Sequence, residues 1–204
     1  TTGLSWRNNK AFGVAIAFNH SSYFLRNEYY SSNTMTEFLR TLFTYNRKFI
    51  FHNIKFDAHM IKHTYNVEVP FNKCHDTFTL AYLFNNESLH GLKYLACTHI
   101  EPTADRYERC LKSYNNQYKI ENYELSPHDL MDMYARKDVE YTKSLYNILY
   151  TKLSDLNKRW YEVERRILDI VYRMEEHGIL IDIDYLNTLK SDIINKIQQI
   201  SKNI

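Results

Sequence analysis

The sequence has few of the residues on which several common kinds of functional site depend. It contains 4 glycines and 3 prolines among 204 residues, and it shows no P-loop, no dinucleotide-binding glycine fingerprint and no serine-hydrolase elbow. Its 3 cysteines form no CxxC pair, so neither a disulfide framework nor a zinc site is indicated, and a reducing compartment fits. His59 and His63 lie four residues apart without a third ligand, and we expect them on a solvated helix face.

Charge of one sign and long apolar runs are also scarce. The net charge is +2 at pH 7, which neither requires nor excludes a nucleic-acid partner, because such binding depends on where Lys and Arg cluster. No apolar run approaches the roughly 18 residues of a membrane span, and no signal or transit segment is recognisable. We therefore expect no membrane partner and an intracellular, cytoplasmic location, in a bacterium or, for a viral protein, in a host cell.

Aromatic residues are abundant by contrast. The 18 tyrosines and 11 phenylalanines can stack the bases of single-stranded nucleic acid or simply pack a core, and the composition leaves both open. Hydrophobic residues at 44% and charged residues at 25% are typical of a globular protein. The length allows one domain of about 150 residues and an appendage.

The pattern of apolar residues predicts an α/β protein in which helices cover a mixed sheet. Two apolar stretches within 11–30 flank the turn-prone Asn19 and predict a hairpin. A helix around 35–45 and a strand at 48–52 should follow.

The second half of the chain is predicted to be dominated by helices. The stretch 101–124 mixes polar and aromatic residues without a clear period, and we interpret it as a loop-rich insertion at the rim of the functional site. Ser126 as a cap, Pro127 at the first position and Asp129 at the third then predict the start of a long helix that ends near Leu153.

Three polar side chains are the strongest candidates for a functional site. Tyr134 and Asp138 lie four residues apart in YARKD, which places them on one face of the long helix. A carboxylate can hold a divalent cation that acidifies water, and a tyrosine hydroxyl can orient that water; the same pair is also typical of a core aromatic beside a solvated charge. Asp57 follows the apolar run FIF, so it is predicted to lie near the carboxyl end of a strand. A carboxylate at such a position can be a metal ligand, or it can simply stabilise the start of a helix.

Three segments together resemble a known family of nucleases. They are TTGL at 1–4, HNIKFD at 52–57 and YARKD at 134–138, which are similar to motifs of the DnaQ-like exonuclease superfamily in its tyrosine-containing branch. The resemblance implies a ribonuclease H-like fold and a site that holds two Mg²⁺ ions, with Mn²⁺ as a possible substitute.

The resemblance also assigns roles to residues of this chain. Asp57 and Asp138 match metal ligands, and Tyr134 matches the residue that positions the attacking water. The family's other two ligands, the Asp and Glu of an Asp-x-Glu motif, would lie just before Thr1. Positions that match contacts to the terminal nucleotides are Thr1, Thr2, Leu4, Asn53 and Phe56, although Leu4 and Phe56 also suit a core and the other three suit turns.

Two further segments extend the resemblance over nearly the whole chain. Residues 74–96 resemble the family's Asp-Thr helix and a later Leu-Lys-x-Leu-Ala segment. Asp76 is predicted to cap a helix there, whose core-facing positions would be Phe78, Leu80, Ala81, Leu83 and Phe84. Residues 159–189 form an amphipathic pattern that stops at Gly178 and resumes near Asp184, similar to the junction between the exonuclease and polymerase domains of family A DNA polymerases.

The resemblance therefore implies a 3′-5′ exonuclease domain at 1–155 and the first helices of a polymerase domain at 156–204. Its expected partners are the single-stranded 3′ end of DNA, primer-template DNA and the downstream polymerase domain. Two alternatives remain open from the sequence: a stand-alone exoribonuclease of the RNase D type, and a catalytically inactive domain that binds DNA or braces a polymerase.

Overall fold

The computed structural model describes residues 1–202 of the chain. An antiparallel hairpin comes first, with β1 at Gly13–Phe18 and β2 at Ser21–Arg26. The hairpin turns at Asn19, which adopts a left-handed conformation with φ of 53°, as Asn does readily. The predicted hairpin is confirmed.

A second pair of strands follows, and these strands run parallel. Helix α1 begins at Ser32 and ends at Thr44, and the Ser31 side chain caps it by accepting the Thr34 N–H. The elements after it are β3 at Phe49–Phe51, α2 at Ile54–Tyr65, a 3-10 turn at Phe71–Lys73 and β4 at Cys74–Asp76. The register of β3 and β4 pairs Phe51 with Asp76 at the carboxyl ends of both strands.

The rest of the described chain is helical. The helices are α3 at Thr77–Phe84, α4 at Leu92–His99, α5 at Arg106–Tyr118, α6 at His128–Lys152, α7 at Asp155–His177 and α8 at Ile183–Lys202, with a 3-10 turn at Tyr123–Leu125. The protein is thus a mixed α/β protein, as predicted. None of the described helices is both long and apolar enough to cross a membrane.

Two compact units divide the chain, at 1–172 and 173–204. Within the first unit, α6 packs against the hairpin, β3 and α3 to α5. One core lies around α1 and α2, with Leu39, Ile54 and Ala58 almost fully buried. A second core joins α3, α6 and the first half of α7 through Leu80, Leu145 and Tyr161. Because α6 touches both the strands and the helices, its polar face is held in a fixed position.

Several local predictions were wrong for physical reasons. Residues 106–118 form α5 rather than a loop, because ion pairs such as Lys112 with Glu108 support the helix and Leu111 is its one fully buried apolar anchor. Ser126 does not cap α6, which begins after Pro127, because its hydroxyl is engaged by the buried side chain of Asn115.

One predicted surface residue and two predicted core residues also need correction. His59 is 2% exposed and stacks on Trp6 with ring centroids 4.1 Å apart, so it is not solvated. Phe78 and Phe84 are 40% and 39% exposed, so α3 buries Leu80 and Ala81 but not these two rings. The short helix has too few turns to cover both sides of a wide apolar stripe.

A buried histidine joins α7 to the parallel strands. His75 of β4 is 5% exposed and lies between the rings of Tyr146 and Tyr161. The Tyr161 oxygen accepts the Asp76 N–H at 3.0 Å, so its own hydrogen can be donated to Nδ1 of His75, 3.2 Å away. This arrangement requires the neutral imidazole. Burial, with smaller contributions from Arg165 and Lys48, lowers the pKa of His75 from 6.5 to about 4.

We predict that acid destabilises the protein partly through His75. In the unfolded chain His75 binds a proton near its ordinary pKa of 6.5, whereas in the folded protein it does so only near pH 4. The stability that depends on neutral His75 is therefore lost as the pH falls from about 6.5 to about 4. Between about pH 7 and about pH 4.5 the wild type should lose about 2 kcal/mol more unfolding free energy than His75→Gln. Urea unfolding at both pH values checks this, and an identical pH dependence in the two proteins would contradict it.

Candidate active site

The carboxyl ends of β3 and β4 are tied together by one buried carboxylate. Asp76 is 2% exposed, and its Oδ1 accepts the backbone N–H groups of Asn53 at 2.6 Å and Ile54 at 3.3 Å. Its Oδ2 accepts the Thr79 N–H at 3.2 Å and the Thr79 hydroxyl at 2.8 Å. The predicted cap of α3 is confirmed, and the same side chain also fixes the start of α2.

This anchor determines where Asp57 lies. Asn53 precedes α2 in a left-handed conformation with φ of 67°, which turns the chain sharply from β3 into the helix. Asp57 then lies in the first turn of α2. The pKa of Asp57 is raised to about 7, chiefly by burial and to a smaller extent by the neighbouring Asp76. A cation beside Asp57 would therefore stabilise its ionised form.

The N-terminal residues lie at the same place. The Thr2 N–H donates to the Lys10 carbonyl at 2.9 Å, which closes the turn, and a Cβ at Gly3 would come within 2.6 Å of the Asn9 side chain, which would have to move. The segment that follows this turn packs on α2, where Trp6 stacks on His59 with ring centroids 4.1 Å apart. Leu4 is 87% exposed, so it is not a core residue.

The second half of the site lies on α6. Tyr134 and Asp138 share one helix face, as predicted, and each affects the pKa of the other, so the phenol and the carboxylate are neighbours. Burial raises the pKa of Tyr134, and the negative charge of Asp138 raises it further, so the phenol stays protonated. Burial also raises the pKa of Asp138, whereas the ammonium of Lys93 opposes the shift. Asp138 pairs with this ammonium.

The 3-10 turn at Tyr123–Leu125 borders the half of the site on α6, because Tyr123 and Tyr134 pack against the same core cluster. In addition, α6 packs on β3, which leads directly into α2. The structure therefore groups Tyr134 with Asp138, on a helix that packs against the strand leading to Asp57.

Asp57 and Asp138 offer the hard oxygen donors that Mg²⁺ and Mn²⁺ prefer. In the described part of the chain, however, neither belongs to a group of three His, Cys, Asp or Glu side chains whose ligand atoms lie within 4.8 Å of one another. The donor chemistry fits a divalent cation, and further oxygen ligands would be needed to fill its coordination.

Sequence reasoning missed two charged residues of this site. Lys93 in the first turn of α4 contacts Asp138, and Glu108 of α5 acts on both Tyr134 and Asp138. The signal for Lys93 was its position in LKYLA, a lysine within an otherwise apolar run. Glu108 gave no signal, because its segment was interpreted as a loop.

Comparison with known proteins identifies relatives of the chain. A family model described as 3′-5′ exonuclease matches residues 1–154, which end just before α7. The chain is 28% identical to a DNA polymerase of Escherichia phage T5, over 98% of the chain and 25% of that protein. It is 28% identical to a DNA polymerase I of Borreliella burgdorferi, over 91% of the chain and 20% of that protein. It is 29% identical to DNA polymerase DpoZ of Salmonella phage PMBT28, over 100% of the chain and 34% of that protein. The chain thus spans only a fifth to a third of the length of these relatives.

We predict that Asp76→Ala loses about 2–4 kcal/mol of unfolding free energy, because the backbone donors of α2 and α3 would lose a charged acceptor inside the protein. Thr79→Val is the matched control, since it removes only one hydroxyl donor, and it should lose about 1 kcal/mol or less. Urea unfolding measures both losses, and amide hydrogen exchange should show faster exchange at Ile54 in Asp76→Ala alone. Equal losses in the two variants would contradict the anchoring role of Asp76.

Proposed function

Because the chain belongs to the family of 3′-5′ exonuclease domains of family A DNA polymerases, we propose that it removes 3′-terminal nucleotides from DNA in a metal-dependent reaction and so proofreads during replication. The observation that carries the proposal is the pair formed by Tyr134 and Asp138 on α6, on a helix that borders the strand leading to Asp57.

Each side chain has a distinct task in this proposal. Asp57 and Asp138 would hold divalent ions, which activate a water molecule and stabilise the leaving 3′ oxygen. Tyr134 would donate its hydrogen to the neighbouring Asp138, and its oxygen would keep lone pairs that can accept a hydrogen bond from the attacking water. The raised pKa of Tyr134 keeps this group neutral, so its alignment does not change with pH in the neutral range.

The terminal nucleotides would contact the surface between the N-terminal turn and the start of α2. Leu4 is an exposed apolar side chain there, which suits contact with a base or sugar. Asn53 and Phe56 lie on one tight turn, where the Phe56 N–H donates to the Asn53 carbonyl at 3.1 Å. Together with Thr1 and Thr2, these residues would position the 3′ end beside Asp57.

Another strand would complete the sheet and the metal site. In the described chain β1 pairs only with β2, and β3 only with β4. A cavity of about 920 Å³ lies between them, lined by residues of both edges such as Val14, Ile16, Phe49 and Ile50. We propose that a strand bearing the Asp-x-Glu pair occupies this cavity. It would satisfy both unpaired edges, join the pairs into one ribonuclease H-like mixed sheet, and supply the missing oxygen ligands.

We further propose the domain limits 1–155 for the exonuclease and 156–204 for the start of a polymerase domain, with primer-template DNA as a shared partner. The end of the family match at residue 154 supports the first limit. The relatives are phage and bacterial DNA polymerases, which supports a DNA substrate over RNA and an intracellular site of action.

We predict that Asp138→Ala and Tyr134→Phe separate catalysis from folding, in protein that includes the proposed strand. Asp138→Ala should reduce magnesium-dependent digestion of single-stranded DNA by about two orders of magnitude or more. Tyr134→Phe keeps the ring and should reduce the rate at least about tenfold while the thermal midpoint hardly moves. Tyr146→Phe, at a buried tyrosine on the same helix, is the control and should retain the rate.

Four outcomes would contradict the proposal. A folded Asp138→Ala protein that digests DNA at a near-normal rate would remove Asp138 from the site. A normal rate of DNA digestion by Tyr134→Phe would show that Tyr134 contributes only through the packing of its ring. A wild type that digests RNA oligonucleotides but not DNA would support the exoribonuclease instead, and a wild type inactive on both would support a scaffold without activity.

A further inference from the structure

We infer that Lys93 is a resident cation of this site, which pairs with Asp138 in the absence of metal and must be displaced when a divalent ion binds there. The inference rests on the proposed function, because it assumes that Asp138 is a metal ligand. In this inference, Lys93 sets the concentration of free divalent cation at which the site becomes occupied.

The position of Lys93 is unusual for a lysine. Its side chain is only 14% exposed, and its ammonium contacts Oδ1 of Asp138. The same ammonium lies 4.7 Å from the ring centroid of Tyr134 and 5.4 Å from that of Tyr141. A lysine in the first turn of a helix faces an unfavourable dipole and normally extends into water. Here the carboxylate and the two ring faces replace that water.

The ion pair with Lys93 compensates for the burial of the Asp138 carboxylate. Asp138 is surrounded by the Tyr134 hydroxyl, the negative charge of Glu108 and the backbone of α6, where Thr142 donates to the Asp138 carbonyl at 2.8 Å. The ammonium of Lys93 forms an ion pair with this carboxylate.

A metal ion and the ammonium compete for Asp138 in this arrangement. A bound Mg²⁺ or Mn²⁺ would coordinate a carboxylate oxygen at about 2 Å, and the ammonium already contacts Oδ1. Two cations in this partly desolvated place would repel each other strongly. We therefore expect metal binding to move Lys93 away from Oδ1, while the faces of Tyr134 and Tyr141, which the ammonium already contacts, can keep it nearby.

Metal affinity tests this competition without relying on nuclease activity. In protein that includes the proposed strand, Mn²⁺ binding is measured from the electron paramagnetic resonance signal of free Mn²⁺. Lys93→Met should bind Mn²⁺ about tenfold more tightly than wild type, a typical coupling between two sites. Lys93→Arg keeps the charge and should bind as wild type. Lys158→Met removes a lysine that pairs with Asp155 on α7 and should also bind as wild type.

The Asp138→Asn background separates this inference from the proposed function. If Lys93 acts through Asp138, the gain from Lys93→Met should vanish in that background. Unchanged or weaker Mn²⁺ binding by Lys93→Met would overturn the inference and leave the metal site intact. If Asp138→Asn bound Mn²⁺ as tightly as wild type, Asp138 would not be a metal ligand. That result would overturn both the inference about Lys93 and the proposed function of Asp138.

A measurement on the wild-type protein covers the case in which Lys93→Met does not fold. Trace acetylation by acetic anhydride, read by mass spectrometry, reports the accessibility of each lysine. Displacement by Mn²⁺ should raise the labelling of Lys93 several-fold relative to Lys158. Equal labelling of Lys93 with and without Mn²⁺ would show that it does not move, and would overturn the inference.

Discussion

The geometry of the site depends on the hydrogen bonds of Asp76. One buried carboxylate accepts donors from the start of α2 and from α3, and the Asp76 N–H donates to Tyr161 of α7. Charged hydrogen bonds of this kind compensate for the desolvation of the carboxylate. They also hold Asn53 in its left-handed turn, and this turn sets the direction in which Asp57 leaves β3.

The site gathers more negative charge than its own side chains neutralise. Asp57 and Asp76 lie on one side, and Asp138 and Glu108 lie on the other. Lys93 offsets the charge of Asp138, whereas Asp57 has a pKa raised to about 7, which marks a carboxylate that lacks sufficient compensation. A site of this kind favours a divalent cation, and the proposed strand would add both ligands and the backbone partners that β1 and β3 lack.

Much of this arrangement could be predicted from the sequence, because it is local. The hairpin around Asn19, the α6 face shared by Tyr134 and Asp138, and the cap at Asp76 each depend on residues close in sequence. Predictions failed where the environment of a side chain depends on residues distant in sequence. Ser126 hydrogen bonds to Asn115, His59 stacks on Trp6, and Lys93 pairs with Asp138. The roles of Thr1, Thr2, Leu4, Asn53 and Phe56 stay predictions, as does the ribonuclease H-like sheet.

The central claim is that Asp57 and Asp138 hold divalent ions in one site. Anomalous X-ray scattering from crystals soaked in Mn²⁺ tests it most directly, because it locates the ion without reference to activity. In protein that includes the proposed strand, we expect Mn²⁺ peaks within about 2.5 Å of carboxylate oxygens of both residues. Peaks that contact neither residue, or binding that involves Asp57 and Asp138 at two separate places, would contradict the account.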